Sequence, residues 1–215
     1  MTDAAVAAQH DRVARLWLAT LHEIARRAAH EVKNALNGVA VNLEVVRGRL
    51  SRPGATADGA ARFATTASEQ FERVSAFAEA LLALSRPARA PADVGAQLHT
   101  MRTLLAVGAG GSTAGDGAAA LRPGDAICGA DPEAARLVLG AALLATAGEG
   151  GAGSVVAVLL PEGGVQLRLA GSAPALDPQV VEVARDAGID VDLAADGITL
   201  TFPPPRADRS ATRSA

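Results

Sequence analysis

The sequence is poor in cysteine and in aromatic residues, and both shortages exclude classes of protein. Cys128 is the single cysteine, so the chain can form no internal disulfide, and a zinc site built on cysteine ligands is not expected. Four Phe, one Trp and no Tyr leave no aromatic platform on which nucleobases could stack. With 20 basic and 23 acidic residues the net charge is −3, so nothing favours nucleic acid as a partner.

Long apolar runs are also missing. No window reaches about 18 uninterrupted apolar residues, so we expect no membrane span. The first ten residues, MTDAAVAAQH, lack the basic segment and apolar run of a secretory signal. The sequence therefore predicts a cytoplasmic protein, and Cys128 is expected to be a small buried apolar residue.

Apolar residues nevertheless make up 49 % of the chain, and their spacing predicts two long helices. From about residue 11 to 50 they recur every three or four positions, as the stripe of an amphipathic helix does: Val13, Trp17, Leu21, Ile24, Ala28, Val32, Leu36, Val39, Leu43, Val46 and Leu50. After a loop at 51–59, a second helix is predicted from about 60 to 85, where Arg86-Pro87 ends it. A two-helix hairpin buries only one side of each stripe, which predicts a homodimer with a four-helix bundle.

The rest of the chain changes character after a proline-rich linker at 86–94. Helices are predicted at about 93–107, 131–147 and 177–187, and strands at 126–128, 154–160, 165–170, 189–193 and 198–202. A glycine-rich loop is predicted at 108–119. The fold class is therefore α+β, with a hairpin domain at 9–87, a small α/β domain at 91–204 and a disordered tail at 205–215.

One polar group on the first helix carries potential chemistry. His30 lies between Ala28 and Val32 of the apolar stripe, so it is expected to point away from the core. A neutral imidazole is a nucleophile, and Glu31 could accept a hydrogen bond that fixes its tautomer. Asn34 lies one turn further on the same face, where its amide could hold a water molecule. The alternative is an ordinary surface histidine, the interpretation that we give to His10, His22 and His99.

The stretch His30-Glu31-Val32-Lys33-Asn34-Ala35-Leu36 resembles the phosphoacceptor box of sensor histidine kinases, H-E-(I/L/V)-(K/R)-(N/T)-P-L. Ala35 replaces the proline that bends the helix in that family. Residues 72–74 and 81–86 resemble the family's second dimerisation helix, and the resemblance covers about 16–87. It implies that His30 accepts a phosphoryl group within a site that includes Glu31, Lys33 and Asn34.

Residues 90–205 resemble the ATP-binding domain of the same family in outline, but the nucleotide-binding residues are replaced. The two asparagines that hold magnesium and phosphate in the family correspond to Ala141 and Ala145. The aspartate and glycines of the D-x-G-x-G box correspond to Gly171, Ala173 and Ala175, and the lid segment is missing. The resemblance therefore implies a degenerate ATPase-like domain that binds no cofactor or metal. Autokinase activity is not expected, because phosphoryl transfer from ATP depends on that positioning.

A phosphoacceptor helix without a kinase site is similar to the ChpT-like histidine phosphotransferases. This resemblance implies a phosphorelay protein of a two-component system, a phosphotransferase that passes phosphoryl groups between response-regulator receiver domains, with a hybrid histidine kinase as a further candidate partner. The Mg²⁺ ion would then be bound by the receiver. Two alternatives stay open: a response-regulator phosphatase that uses Glu31 and Asn34, and a non-catalytic pseudokinase scaffold.

Overall fold

The protein has an α+β fold with a long N-terminal helix and two small antiparallel sheets, as described by a computed structural model for residues 3–52, 58–105, 121, 123–147 and 154–205. The helices are α1 Asp3–Leu50, α2 Asp58–Ser85, α3 Val94–Leu105, α4 Pro132–Thr146 and α5 Pro178–Asp186. The strands are β1 Ala92–Asp93, β2 Ile127–Cys128, β3 Val155–Leu159, β4 Val165–Ala170, β5 Asp190–Ala194 and β6 Gly197–Phe202.

These elements follow the predicted order of helices and strands, except that the short strand β1 lies in the predicted linker at 86–94 and α1 starts well before residue 11. The predicted glycine-rich loop at 108–119 and the tail beyond residue 205 lie outside the described residues. None of the described helices is long and apolar enough to cross a membrane.

The larger sheet buries one face. Its four strands lie in the order β3-β4-β6-β5, and each neighbouring pair is antiparallel. Along β4, Val165, Leu167 and Leu169 are buried, whereas Arg168 and Ala170 are exposed. Because side chains alternate along a strand, the buried set lies on one face, where α4 and α5 cover the sheet.

Both helices of that layer begin at the aspartates that the sequence indicates. The Asp131 carboxylate accepts hydrogen bonds from the backbone N–H groups of Glu133 (3.1 Å) and Ala134 (2.9 Å). The Asp177 carboxylate accepts one from Gln179 (2.8 Å). Each aspartate precedes a proline in the first turn, which is a favourable start for a helix.

Helix α1 packs against α2 and also against α4, so one apolar core runs from the two-helix hairpin into the sheet layer. Trp17 is 5 % exposed at this contact, which confirms its prediction as a core residue. Gly140 of α4 faces Trp17 and Thr20, and a Cβ atom at Gly140 would lie 3.2 Å from side-chain atoms of both. The absence of a side chain at Gly140 allows α1 and α4 to approach closely.

We expect Gly140→Val to lower the free energy of unfolding by about 1 to 3 kcal/mol, because the added methyl groups overpack the contact with Trp17. Gly48→Ala is the matched control. Gly48 is exposed on α1 with nothing within 4 Å of its Cβ position, so alanine should raise stability by about 0.5 to 1 kcal/mol. Chemical denaturation of both variants measures the change in the free energy of unfolding. If both substitutions changed it in the same direction, the close approach of α1 and α4 would be contradicted.

Arg136 of α4 is 6 % exposed and connects several elements. Its Nη1 atom donates to the backbone oxygens of Leu84 (3.1 Å) and Arg86 (2.5 Å), at the end of α2. Its Nη2 atom pairs with Glu133, and its guanidinium lies 4.4 Å from the Trp17 ring centroid. Burial lowers the pKa of this guanidinium, an effect that the Glu133 carboxylate opposes. The side chain therefore links α1, α2 and α4.

The distal half of the hairpin is less covered than the predicted stripe suggests. Leu36, Leu43, Leu50 and Phe71 are 45 %, 52 %, 52 % and 58 % exposed. Among the described residues, the core shared with the sheet layer includes Trp17, Ile24 and Ala28 of α1, and no α1 residue beyond Val32 belongs to it or packs against it. A single neighbouring helix leaves one side of the apolar stripe in solvent.

Candidate functional site

His30 lies in the middle of α1, and its side chain is exposed as predicted. The preceding turn fixes the orientation of this part of the helix, since Ile24 and Ala28 are fully buried. No proline interrupts α1, and the described helix continues for five turns beyond the histidine. The imidazole is therefore presented to solvent from a rigid element.

Lys33 and Asn34 lie three and four residues beyond His30 and are both exposed. Residues at these spacings are neighbours on one face of a helix. Side chains on a helix tilt towards its N-terminus, so Lys33 and Asn34 lean over the turn that carries His30. The arrangement places an ammonium group and a carboxamide next to the imidazole.

Glu31 is half-buried and lies to the side of this face. Adjacent residues on a helix do not face each other, so its carboxylate is less well directed at the imidazole than Asn34 is. Among the described residues, no side chain makes a hydrogen bond or an ion pair with His30 or Glu31. The role of Glu31 in orienting the imidazole stays a prediction.

The structure adds two arginines that the motif did not indicate. Arg26 and Arg27 lie four and three residues before His30, on its face of α1. Glu23 holds both: its carboxylate accepts two hydrogen bonds from Arg26 (2.8 and 2.7 Å) and one from Arg27 (2.9 Å). The signal was present in the sequence as a glutamate three and four residues before two arginines. Lys33 thus follows His30 on this face, whereas the guanidinium groups of Arg26 and Arg27 are held at Glu23, about two turns before His30.

Arg27 also contacts the sheet layer. Its Nη1 atom lies 3.4 Å from the backbone oxygens of both Leu144 and Ala147, at the C-terminal end of α4. The last carbonyl groups of a helix carry partial negative charge, which a guanidinium stabilises. Arg27 therefore links the end of α4 to α1, at a position three residues before His30.

The arginines beside Glu23 give a testable pH dependence. Hydrogen bonds from Arg26 and then Arg27 lower the pKa of the Glu23 carboxyl from 4.5 to about 2. A lowered carboxyl pKa stabilises the folded state above pH 4.5, and this contribution is lost as the pH falls towards 2. Glu23 is partly exposed, so the contribution should be at most about 1 kcal/mol.

We expect Glu23→Gln to remove this part of the acid sensitivity. Between about pH 6 and pH 3, the free energy of unfolding of this variant should depend less steeply on pH than that of the parent chain. Glu44→Gln is the control, because Glu44 pairs with Arg47 at the longer distance of 3.5 Å and both side chains are largely exposed. Identical slopes for all three proteins would show that Arg26 and Arg27 do not stabilise the ionised carboxylate.

The positions that the sequence resemblance aligns with nucleotide-binding residues carry small side chains. Ala141 and Ala145 on α4 carry no ligating atoms. Gly171, which stands in place of the aspartate, packs against α4 so closely that a Cβ would lie 2.8 Å from Thr146 Cα. Ala173 keeps a left-handed φ of 47°, a conformation that favours glycine. The residues present do not fit ATP with magnesium.

The other candidate ligands of the sequence are scattered. His10, His22 and His99 are exposed at separate places, and Cys128 is buried as predicted, which raises the pKa of its thiol. Within the part of the chain that the structure describes, no three His, Cys, Asp or Glu side chains form a group that could hold a metal ion. The Mg²⁺ expected on a partner receiver stays a prediction.

Comparisons with known proteins add no assignment: the chain matches no protein-family model and no curated protein sequence.

Proposed function

We propose that this chain is a cytoplasmic histidine phosphotransferase that relays phosphoryl groups between receiver-domain aspartates through His30. The observation that carries the proposal is the exposure of His30 on an uninterrupted helix, with Asn34 one turn beyond it and Arg26 one turn before it. A dianionic phosphoryl group on the imidazole would lie beside the Lys33 side chain, whose positive charge stabilises such a group.

The proposed chemistry needs only an exposed imidazole and a docked receiver. A ring nitrogen of His30 attacks the phosphorus atom of an aspartyl phosphate, and the P–O bond breaks as its electron pair returns to the aspartate carboxylate. The other ring nitrogen keeps its proton and is proposed to donate a hydrogen bond to the Glu31 carboxylate. The reverse reaction with a second receiver completes the relay, and the receivers supply the magnesium ion.

The replaced nucleotide site supports a relay over an autokinase. Three of its positions, Ala141, Ala145 and Gly171, lack the donor atoms that ligate magnesium and read adenine in the ATP-binding family. The contact between Gly171 and Thr146 also leaves no room for a longer side chain without moving α4. Phosphoryl transfer from ATP requires bound and oriented phosphates, so His30 is proposed to receive its phosphoryl group from another protein.

A homodimer is part of the proposal. The exposed side chains of Leu36, Leu43, Leu50 and Phe71 lie on both helices of the distal hairpin. A second hairpin packed against them would complete a four-helix bundle and remove this apolar surface from water. The bundle and a kinase-like arrangement of the following domain are inferred from this exposure together with the sequence resemblance.

The test is to incubate the full chain with radiolabelled ATP alone and then with receiver domains phosphorylated at their aspartates. We expect no label on the chain from ATP and label on His30 from at least one receiver, identified by its acid lability and by peptide mapping. Label taken directly from ATP would contradict the absence of kinase activity. No transfer from any receiver of the same cell would contradict the relay.

The position of Asn34 supports a second candidate, a receiver phosphatase. An exposed carboxamide one turn from His30 could orient a water molecule towards an aspartyl phosphate on a docked receiver. For a phosphatase, Asn34→Ala should slow receiver dephosphorylation by about a hundredfold, since positioned general catalysis contributes on that order, while His30→Ala keeps the activity. For a relay, Asn34→Ala should keep transfer to His30. Measuring both reactions in both variants separates the two functions.

A further inference from the structure

Strand β3 forms one edge of the larger sheet, and β4 is its only partner among the described strands. The backbone oxygen of Ser154 accepts a hydrogen bond from the N–H of Ala170 (2.9 Å). At the other end of the strand, the N–H of Leu160 donates to the backbone oxygen of Gly164 (2.8 Å). In an antiparallel pair every second residue bonds to the neighbouring strand, so the even-numbered residues from 154 to 160 turn their backbone groups towards β4.

The odd-numbered residues of β3 face the free edge of the sheet. The N–H and C=O groups of Val155, Ala157 and Leu159 point away from β4, and no described residue forms a hydrogen bond with them. A free edge of this kind accepts another extended strand, because a strand supplies acceptors and donors at the same spacing. The edge therefore defines the chemistry of its partner as extended polypeptide backbone.

The side chains of β3 do not oppose such pairing. The strand contains no charged residue, no proline and no glycine, and Val156, Val158 and Leu159 are between 43 % and 55 % exposed. The strand at the opposite edge, β5, carries the exposed carboxylates of Asp190 and Asp192. Like charges that face each other destabilise a strand pair, so β5 is protected from pairing with its own copy, whereas β3 is not.

We propose that β3 pairs with β3 of a second copy of this chain, antiparallel and with Ala157 opposite its own counterpart. In this register the three residues at each free edge bond to one another across a two-fold axis, which gives about six backbone hydrogen bonds. Val156 of each copy lies opposite Val158 of the other, and Leu159 lies opposite Val155. Every exposed apolar side chain of the strand thus meets an apolar side chain, and the two four-stranded sheets become one continuous sheet.

This contact lies outside the phosphoacceptor face and forms independently of the proposed relay. It is also separate from the proposed four-helix bundle, whose exposed side chains belong to α1 and α2. A strand from an unrelated protein is the alternative occupant of the edge. The two-fold matching of apolar side chains, with no charge on β3, favours a second copy.

Cysteine cross-linking of the full chain tests the register of this pair. Residues that lie opposite each other between the hydrogen-bonded positions have Cα atoms about 4.5 Å apart, within the range for a disulfide. The double variant Val156→Cys/Val158→Cys should therefore give a covalent dimer under mild oxidation. Either single variant should give almost none, because each position lies about 7 to 8 Å diagonally from its own counterpart.

The parent chain gives the background of this assay, since its single cysteine, Cys128, is buried. The absence of a covalent dimer in the double variant would overturn the proposal. Equal cross-linking of the single and double variants would also overturn it, because random collision and not a fixed register would then form the disulfide.

Sedimentation equilibrium measures the strength of the contact. Val156→Lys/Val158→Lys places like charges opposite each other and should weaken self-association by about tenfold or more. Thr199→Lys/Thr201→Lys is the matched control, because it adds the same charge to the same face of the sheet on β6, away from the edge. Both are compared in a Leu43→Glu background, which weakens the bundle contact, so that failure of the bundle and failure of the β3 contact are distinguished. Equal association of the two lysine variants would contradict the proposal.

Discussion

Replacing His30 with alanine is expected to abolish phosphoryl transfer from a phosphorylated receiver domain to this chain. The imidazole is exposed, so its removal should cost little folding free energy, within about 0.5 kcal/mol. No other histidine shares the face with Asn34 and the arginines, so no neighbouring nitrogen should take over the attack. Labelling of the variant should fall to the background of the assay, measured with receiver labelled at its aspartate.

His22→Ala is the matched control, because His22 is also exposed on α1, about two turns before His30. It should accept phosphate at the parent rate. His30→Gln should behave like His30→Ala, since a carboxamide keeps the polarity of the side chain but not its nucleophilicity. Transfer that survives in both His30 variants would remove the basis of the relay and would favour one of the non-relay functions.

Arg136→Met is expected to lower the free energy of unfolding by about 3 kcal/mol. Methionine keeps much of the contact with Trp17, but it leaves the backbone oxygen of Leu84 and the Oε2 atom of Glu133 without their partner. Unpaired groups in a buried environment carry their full desolvation cost. Chemical denaturation at neutral pH measures the loss, which should exceed that of Gly140→Val.

Arg168→Met is the control for this prediction. Arg168 forms an ion pair with Asp196 at 2.6 Å, and both side chains are more than half exposed. Exposed pairs contribute less than about 1 kcal/mol, so this variant should remain close to the parent chain. Arg136→Lys should recover little of the stability that is lost in Arg136→Met. An ammonium group cannot donate to two carbonyls and at the same time stack on the Trp17 ring. Equal losses for Arg136 and Arg168 would show that the buried arginine has no special role.

The start of α4 and the exposure of His30 could both be predicted from sequence. The first depends on Asp131 before a proline, and the second on the offset of His30 from Ala28 and Val32. Both are local properties: caps act within one turn, and apolar spacing assigns each residue to a face of its own helix. The apolar run at 165–170 likewise predicted the strand β4, although not which of its side chains are buried.

The surroundings of His30 were only partly predictable. The pairing of Glu23 with Arg26 and Arg27 follows helical spacing, but the reach of Arg27 to Leu144 and Ala147 does not. That contact depends on how α4 crosses α1, which is decided by the packing of Gly140 on Trp17 and Thr20. The exposure of Leu43 and Leu50 has the same origin, because the sheet layer covers only one half of the hairpin.

The sequence by itself determined most of the helices and strands, the outward face of His30 and the absence of ligating side chains at Ala141, Ala145 and Gly171. These depend on residue type and on the periods of helix and strand. Only the tertiary structure decided that Arg136 connects three helices, that Arg27 contacts the end of α4 and that a cavity lined by arginines opens at residues 86–91. Such contacts join residues 50 or more positions apart, and no periodic pattern encodes them.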